Sequence, residues 1–310
     1  MAGVLSGFFI VWSLIAVGWT VGRTGVLGDT GHARFVLNRT TFFIASPCLV
    51  LVSLLDSDVA GLLGAPIAVA SIAGLATGLL VFAGVRLASR RTTGDVLVTA
   101  VCASVANGAN MGFPIATYVL GSPAHALPVI LFQQAVYTPI YQFAMHTATS
   151  TSRPSVRSIL RGVVTNPTII ATLLGLALRA TGIRIPDLAL QPLQILADLA
   201  ILGKLLAFGL SLIGSRPLAR DDGFRPLVAV ATLAKLLLMP AIALAAGLVL
   251  GLEGHALFAV VVMAALPTAQ NVYVAASRFS LAENLARDTV LVTTVGTVGT
   301  LLLVSGLLAA

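Results

Sequence analysis

The chain has 310 residues, of which 58% are hydrophobic and 9% charged, with a net charge of +7. A water-soluble fold of this length cannot hide so much apolar surface in one core, so lipid must solvate most of the exterior. The basic residues sit at the ends of apolar runs rather than on one patch, which argues against a nucleic-acid surface, and Cys48, Cys102, His32, His125, His146 and His255 have neither metal-ligand nor disulfide spacing.

At about 20 apolar residues per crossing, the length accommodates roughly ten helices. The first run, 4–22, has no basic start and no cleavage site behind it, so it is expected to stay as a true span. Runs at 33–55, 61–85, 96–120 and 126–147 follow, then 163–179, 188–213, 226–250, 256–277 and 286–308. The arginines alternate with this count. Odd-numbered connections hold thirteen, Arg23, Arg86, Arg153, Arg216 and Arg278 among them, whereas even-numbered ones hold only Arg179 and Arg184. By the excess of positive charge on cytoplasmic loops, odd connections are expected inside and both termini outside, in the cell (inner) membrane.

Five runs per half predict two repeats inserted upside down relative to one another, residues 1–147 and 163–310, joined by a short cytoplasmic linker at 148–162. The fourth run is interrupted by Asn107-Gly108-Ala109-Asn110-Met111-Gly112-Phe113-Pro114. The ninth is interrupted by Ala264-Ala265-Leu266-Pro267-Thr268-Ala269-Gln270-Asn271. Proline removes an amide hydrogen and displaces a carbonyl, so each segment is expected to open at membrane depth, where freed groups need protein or a wet cavity. Where two such breaks meet, half-helix N-termini present free amides and a positive dipole end, which suits a carboxylate. The expected fold is an all-α membrane protein whose helices four and nine are broken and cross near the midplane.

These residues resemble the auxin efflux carrier family, over nearly the whole length. Asn107 stands seven residues before Pro114 in a Met-Gly-x-Pro run, and the segment from Ala264 through Ala275 is similar to the family's second crossover; Asn166-Pro167, Asp198 and Lys235 through Pro240 are similar too. The resemblance implies a scaffold part, a transport part built on helices four and nine, and elevator-type alternating access. It also implies an anion site lined by Asn107, Asn110, Gly112, Pro114, Pro267, Thr268, Gln270 and Asn271, with Ser46, Gln133, Gln134 and Tyr137 completing the wall. Two features depart from the family pattern: the 148–162 connection is short where plant members carry a long loop, and Leu202 stands where many members have proline. The expected cargo is therefore a small mono- or dicarboxylate rather than auxin.

Three charges, Asp198, Lys204 and Lys235, fall deep in runs seven and eight and need partners there. Asp198 and Lys204 are six residues apart and do not share a helix face, so Asp198 is read as pairing with Lys235, either as a fixed ion pair or as a proton-carrying group. A proton or sodium ion is the candidate co-substrate, with sodium coupling or, at lower weight, an anion channel as the alternatives. Gly74 and Gly78 have the spacing of close helix contact, within the protomer or in a homodimer. No cofactor is expected, and the absence of a nucleophile motif or a close carboxylate pair argues against an enzyme.

Overall fold

A computed structural model describes residues 2–55, 61, 64–149, 156–213, 218 and 223–308. Arg153, Arg216 and Arg220 of the arginine pattern, and residues 150–155 of the linker, lie outside them. Among the described residues each predicted apolar run is helical, the fourth and ninth with an interruption. In chain order the helices are α1 (Ala2–Thr24), α2 (Thr30–Leu55), α3 (Ala65–Ala88), α4 (Thr93–Ser104), α5 (Phe113–Leu120) and α6 (127–149). There follow α7 (Val156–Val164), α8 (Pro167–Thr181), α9 (Asp187–Ser211), α10 (Arg225–Val249), α11 (Gly254–Ala264), α12 (Gln270–Arg278) and α13 (Glu283–Leu308). Among the described residues there is no strand, and five helices, α2, α3, α9, α10 and α13, are long and apolar enough to cross a bilayer as single rods.

The starts follow capping chemistry. Asp29 accepts from the His32 amide ahead of α2, Thr92 from Asp95 ahead of α4, and Asn166 from Thr168 ahead of α8, with Pro167 at the first helical position. Among the described residues four helical segments contain a π-turn, at Thr41–Ala45, Gly108–Gly112, Gln133–Tyr137 and Ala234–Leu238. A π-turn widens the helix locally and rotates everything downstream, so the residues that face inward change.

Helix packing gives two groups, joined where α1 lies against α5 and where α9 meets the first break. α9 lies against α1 and α2, and α8 against α2; separately, α3 packs on α4, α6 and α10, while α13 packs on α10, α11 and α12. Between α1 and α9 the backbones touch: an added Cβ at Gly18 would fall 2.5 Å from the Leu206 carbonyl oxygen, and one at Gly209 would fall 2.2 Å from that of Ile15. Gly74 and Gly78 receive the Phe132 ring and the Tyr137 hydroxyl from α6, so this pair serves packing inside the protomer.

A short turn, Pro123–Ala126, joins α5 to α6 and sets His125 against His255 of α11, ring centroids 5.1 Å apart, with His255 Nε2 3.1 Å from the Leu120 carbonyl oxygen. Burial first, and the charge of His255 second, hold His125 below its ordinary value of 6.5. The folded protein therefore resists protonation there while the unfolded chain accepts it, so stability falls as pH drops from about 6.5 toward the lower folded value. Thermal unfolding across this window should show that loss, and His125→Gln should flatten it. An unchanged slope in the variant would remove His125 as its source.

Candidate functional site

The two breaks meet. After Ser104 the chain runs extended through Val105 and Ala106, and after α11 it runs extended through Thr268; Ala106 and Thr268 form an antiparallel bridge. The Asn107 amide donates to the Pro267 carbonyl at 2.8 Å and the Ala269 amide to the Val105 carbonyl at 3.0 Å, so each broken segment satisfies backbone groups of the other. That exchange answers the demand lipid makes on freed amides and carbonyls. Beyond the bridge both chains re-enter helix. The Asn107 carbonyl accepts from Met111 and Gly112 to start the turn that leads into α5, with Pro114 in the first turn of α5, and α12 begins at Gln270 without a side-chain cap.

Asn107 is 1% exposed. Its Oδ1 accepts from the Asn110 amide at 3.3 Å, which fixes the orientation of the side chain, and its Nδ2 has no hydrogen-bond partner among the described residues. A buried amide donor left unmet costs about 1–3 kcal/mol, so a bound acceptor is favoured there.

Side chains from other helices hold the crossing. Thr268 Oγ1 donates to the Cys102 carbonyl at 2.6 Å, and the Thr268 amide donates to Thr293 Oγ1 at 3.1 Å. Thr297 Oγ1 donates to the Ala265 carbonyl at 2.6 Å. These threonines form a buried column on α13 with Thr289 and Thr300, at spacings of three and four residues, which sequence reading missed although the periodicity is visible in an apolar run.

Two cavities adjoin the crossing and share Gln134, Thr138 and Asn271. A narrow one of about 20 Å³ is walled by Val105, Ala106, Ala109, Gln133, Tyr141 and Ala269, and a wide one of about 540 Å³ by Phe42, Gln142, His146, Asn166, Arg278 and Phe279. The small one is about the size of a single water, and the wide one extends to Arg278. Asn166 Nδ2 donates to Gln134 Oε1 across the wide cavity. A separate apolar cavity of about 390 Å³ lies among α3, α10 and α11, its polar side chains being Ser122 and His125.

Of the residues nominated from sequence, Asn107, Asn110, Gly112, Pro114, Pro267, Thr268, Gln270 and Asn271 gather at the crossing, and Gln133, Gln134 and Asn271 line the cavities. Gln270 Nε2 reaches Ser211 Oγ of α9 at 3.2 Å. Tyr137 does not line either cavity: its hydroxyl is 2.6 Å from Ser104 Oγ and packs on Gly78, while Thr138 and Tyr141 take the cavity wall. Ser46 is buried and donates to the Thr41 carbonyl at 2.7 Å, and Phe42 faces the cavity from that helix. Both shifts occur at π-turns.

The expected pairing of Asp198 with Lys235 is not made. Asp198 lies on the exposed face of α9 with Ile195, Leu199 and Leu202, and α9 belongs to the other packing group from α10. Lys235 is fully buried and its Nζ donates to the Ala264 carbonyl at 2.7 Å and to Met239 Sδ at 3.1 Å. Lys204, 4% exposed, holds its ammonium 4.5 Å from the centroid of the Phe113 ring, beside the first break. Among the described residues the ion pair is Arg287 with Asp288, away from the crossing.

An all-helical, apolar chain with two interrupted helices meeting beside a polar cavity is a multi-pass membrane transporter, not an enzyme. The chain belongs to the family described as "Membrane transport protein", the auxin efflux carrier family, whose model matches residues 4–305. It is 29% identical over 317 residues to a protein of Rhizobium meliloti (strain 1021) named "Putative malonate transporter", a match that covers 99% of this chain and 95% of that one.

Proposed function

We propose that this protein is a secondary transporter of small organic anions, mono- or dicarboxylates, which bind where the two broken helices meet. The observation that carries this reading is Asn107 Nδ2, a buried donor without a partner at the crossing, next to the uncapped first turn of α12. A carboxylate there would accept from Asn107 and from helix-end amides, with Asn110, Asn271, Gln133 and Gln134 within the same polar region. Lys204 and Lys235 flank the junction and raise the local affinity for anions.

Movement follows from the two packing groups. The group of α1, α2, α8 and α9 serves as the scaffold, and the group carrying the crossing slides against it in an elevator-type step. The repeats 1–147 and 163–310, inverted about the 148–162 linker, supply the two related arrangements. The arginine asymmetry supports a cytoplasmic position for the Arg278 end, both termini outside and residence in the cell membrane. Moving a monoanion inward against 100 mV costs about 2.3 kcal/mol, so export runs on the potential and import needs a co-transported cation.

Malonate is the first probe to try, given the name of the relative. Thermal unfolding of the detergent-purified protein should shift upward with malonate and related small carboxylates, because a ligand bound to the folded state stabilises it by mass action. Proteoliposomes should then exchange labelled malonate in counterflow. Stabilisation by none of a panel of mono- and dicarboxylates would reject the anion site, and conductance far above carrier rates would make the protein a channel.

A further inference from the structure

Opening a helix inside a membrane leaves carbonyls that need donors, and these oxygens are the natural ligands for a coupling cation. At this crossing several are engaged by donors of the protein itself. Pro267 O accepts from Asn107, Val105 O from Ala269, and Ala106 O from Gly108. Cys102 O accepts from Thr268 and Ala265 O from Thr297. The remaining exchange is the least ordinary: Ala264, the last residue of α11, gives its carbonyl to the Lys235 ammonium at 2.7 Å.

Lys235 is 0% exposed, and its second contact is the sulfur of Met239 one turn along the same helix. Among the described residues no Asp or Glu side chain bonds to it, and its charge faces the negative end of the α11 dipole. A positive charge at that helix end, tethered by a covalent stem, is placed where an incoming metal cation would otherwise be attracted. The Ala264 carbonyl that Lys235 holds lies three residues before Pro267 of the second break, so Lys235 stands behind the proposed anion site.

We propose that Lys235 is a built-in counter-charge that does the work of a coupling sodium ion: it holds the C-terminal end of α11 in place at the crossing, so anion binding and transport proceed without sodium. This rests on the reading of the crossing as the anion site, and Lys235 is a positioning residue that acts through the α11 terminus. Removing the ammonium should make the crossing dependent on a cation from solution.

The test uses the full-length purified protein, with malonate as the anion probe. Wild type should unfold at the same temperature, and bind malonate equally well, in sodium chloride and in N-methyl-glucamine chloride. Lys235→Ala leaves a space shaped like the lost stem; it should unfold earlier and bind malonate about tenfold more weakly. Added n-propylammonium, the missing fragment, should recover both. Lys235→Met keeps the volume without the charge, should elute as folded protein, and should share the weaker malonate binding without amine rescue. Sodium-dependent stability or binding in wild type overturns the proposal, as does wild-type malonate affinity in Lys235→Met or a Lys235→Ala protein indifferent to n-propylammonium. If wild type binds no malonate, the anion-site reading fails on that arm, while amine rescue of the Lys235→Ala unfolding temperature still decides the role of the lysine. If Lys235→Ala yields no folded protein, Lys235→Met and the sodium comparison in wild type decide it.

Discussion

Asn107→Ala is expected to weaken carboxylate binding by about ten- to a hundredfold while leaving folded protein in the membrane, since a hydrogen bond to a charged group contributes about 1.5–3 kcal/mol. The fold should survive because the contacts that hold the first break together are made by the Asn107 backbone: its amide donates to Pro267, and its carbonyl accepts from Met111 and Gly112. The side chain supplies one bond to the Asn110 amide and one donor without a partner. Deleting the side chain therefore removes the donor meant for the anion and relieves a buried group that was unmet without one. Apo protein should lose little stability, and the stabilisation by carboxylate should shrink. Isothermal titration and thermal unfolding, each with and without malonate, separate these effects; unchanged affinity would take Asn107 out of the site.

Gly209→Ala should cost about 3 kcal/mol or more and leave little folded protein, from a change of one methyl group. The added carbon would lie 2.2 Å from the Ile15 carbonyl oxygen and 2.7 Å from the Trp19 amide nitrogen, both backbone atoms of α1. No rotamer change relieves such a clash, so α1 and α9 must separate along a contact that carries no hydrophobic compensation in lipid. Gly18→Ala meets the backbone of Leu206 in the same way. Gly299→Ala is the control, because nothing lies within 4 Å of its added carbon and alanine favours helix. Size-exclusion profiles and unfolding temperatures should show the first two variants failing and the third intact. Normal behaviour of Gly209→Ala would refute the close approach.

The helices and the two breaks were legible because each is written locally. An apolar run makes a membrane helix whatever surrounds it, and proline with glycine and asparagine inside such a run cannot continue one. Asn107, Gln133, Gln134 and Asn271 could be nominated on those grounds together with the resemblance. What stayed hidden depends on contacts distant in sequence. Thr268 reaches Cys102 across 166 positions, and Lys235 finds Ala264 rather than Asp198, because the helices carrying Asp198 and Lys235 belong to different packing groups. The π-turns were hidden for another reason. They add one residue to a helical turn without a composition signal, and the turn at Gln133–Tyr137 moves Tyr137 toward Gly78 and brings Thr138 and Tyr141 to the cavity. Ser46, just after the turn at Thr41–Ala45, is bonded to Thr41, and Phe42 faces the cavity.

An experimental structure with the best-stabilising small carboxylate bound tests the core of this account most directly. Density for the carboxylate is expected between Asn107 Nδ2 and the first turn of α12. Carboxylate seated elsewhere, with the Asn107 amide still unpartnered and the crossing empty at saturation, would contradict it.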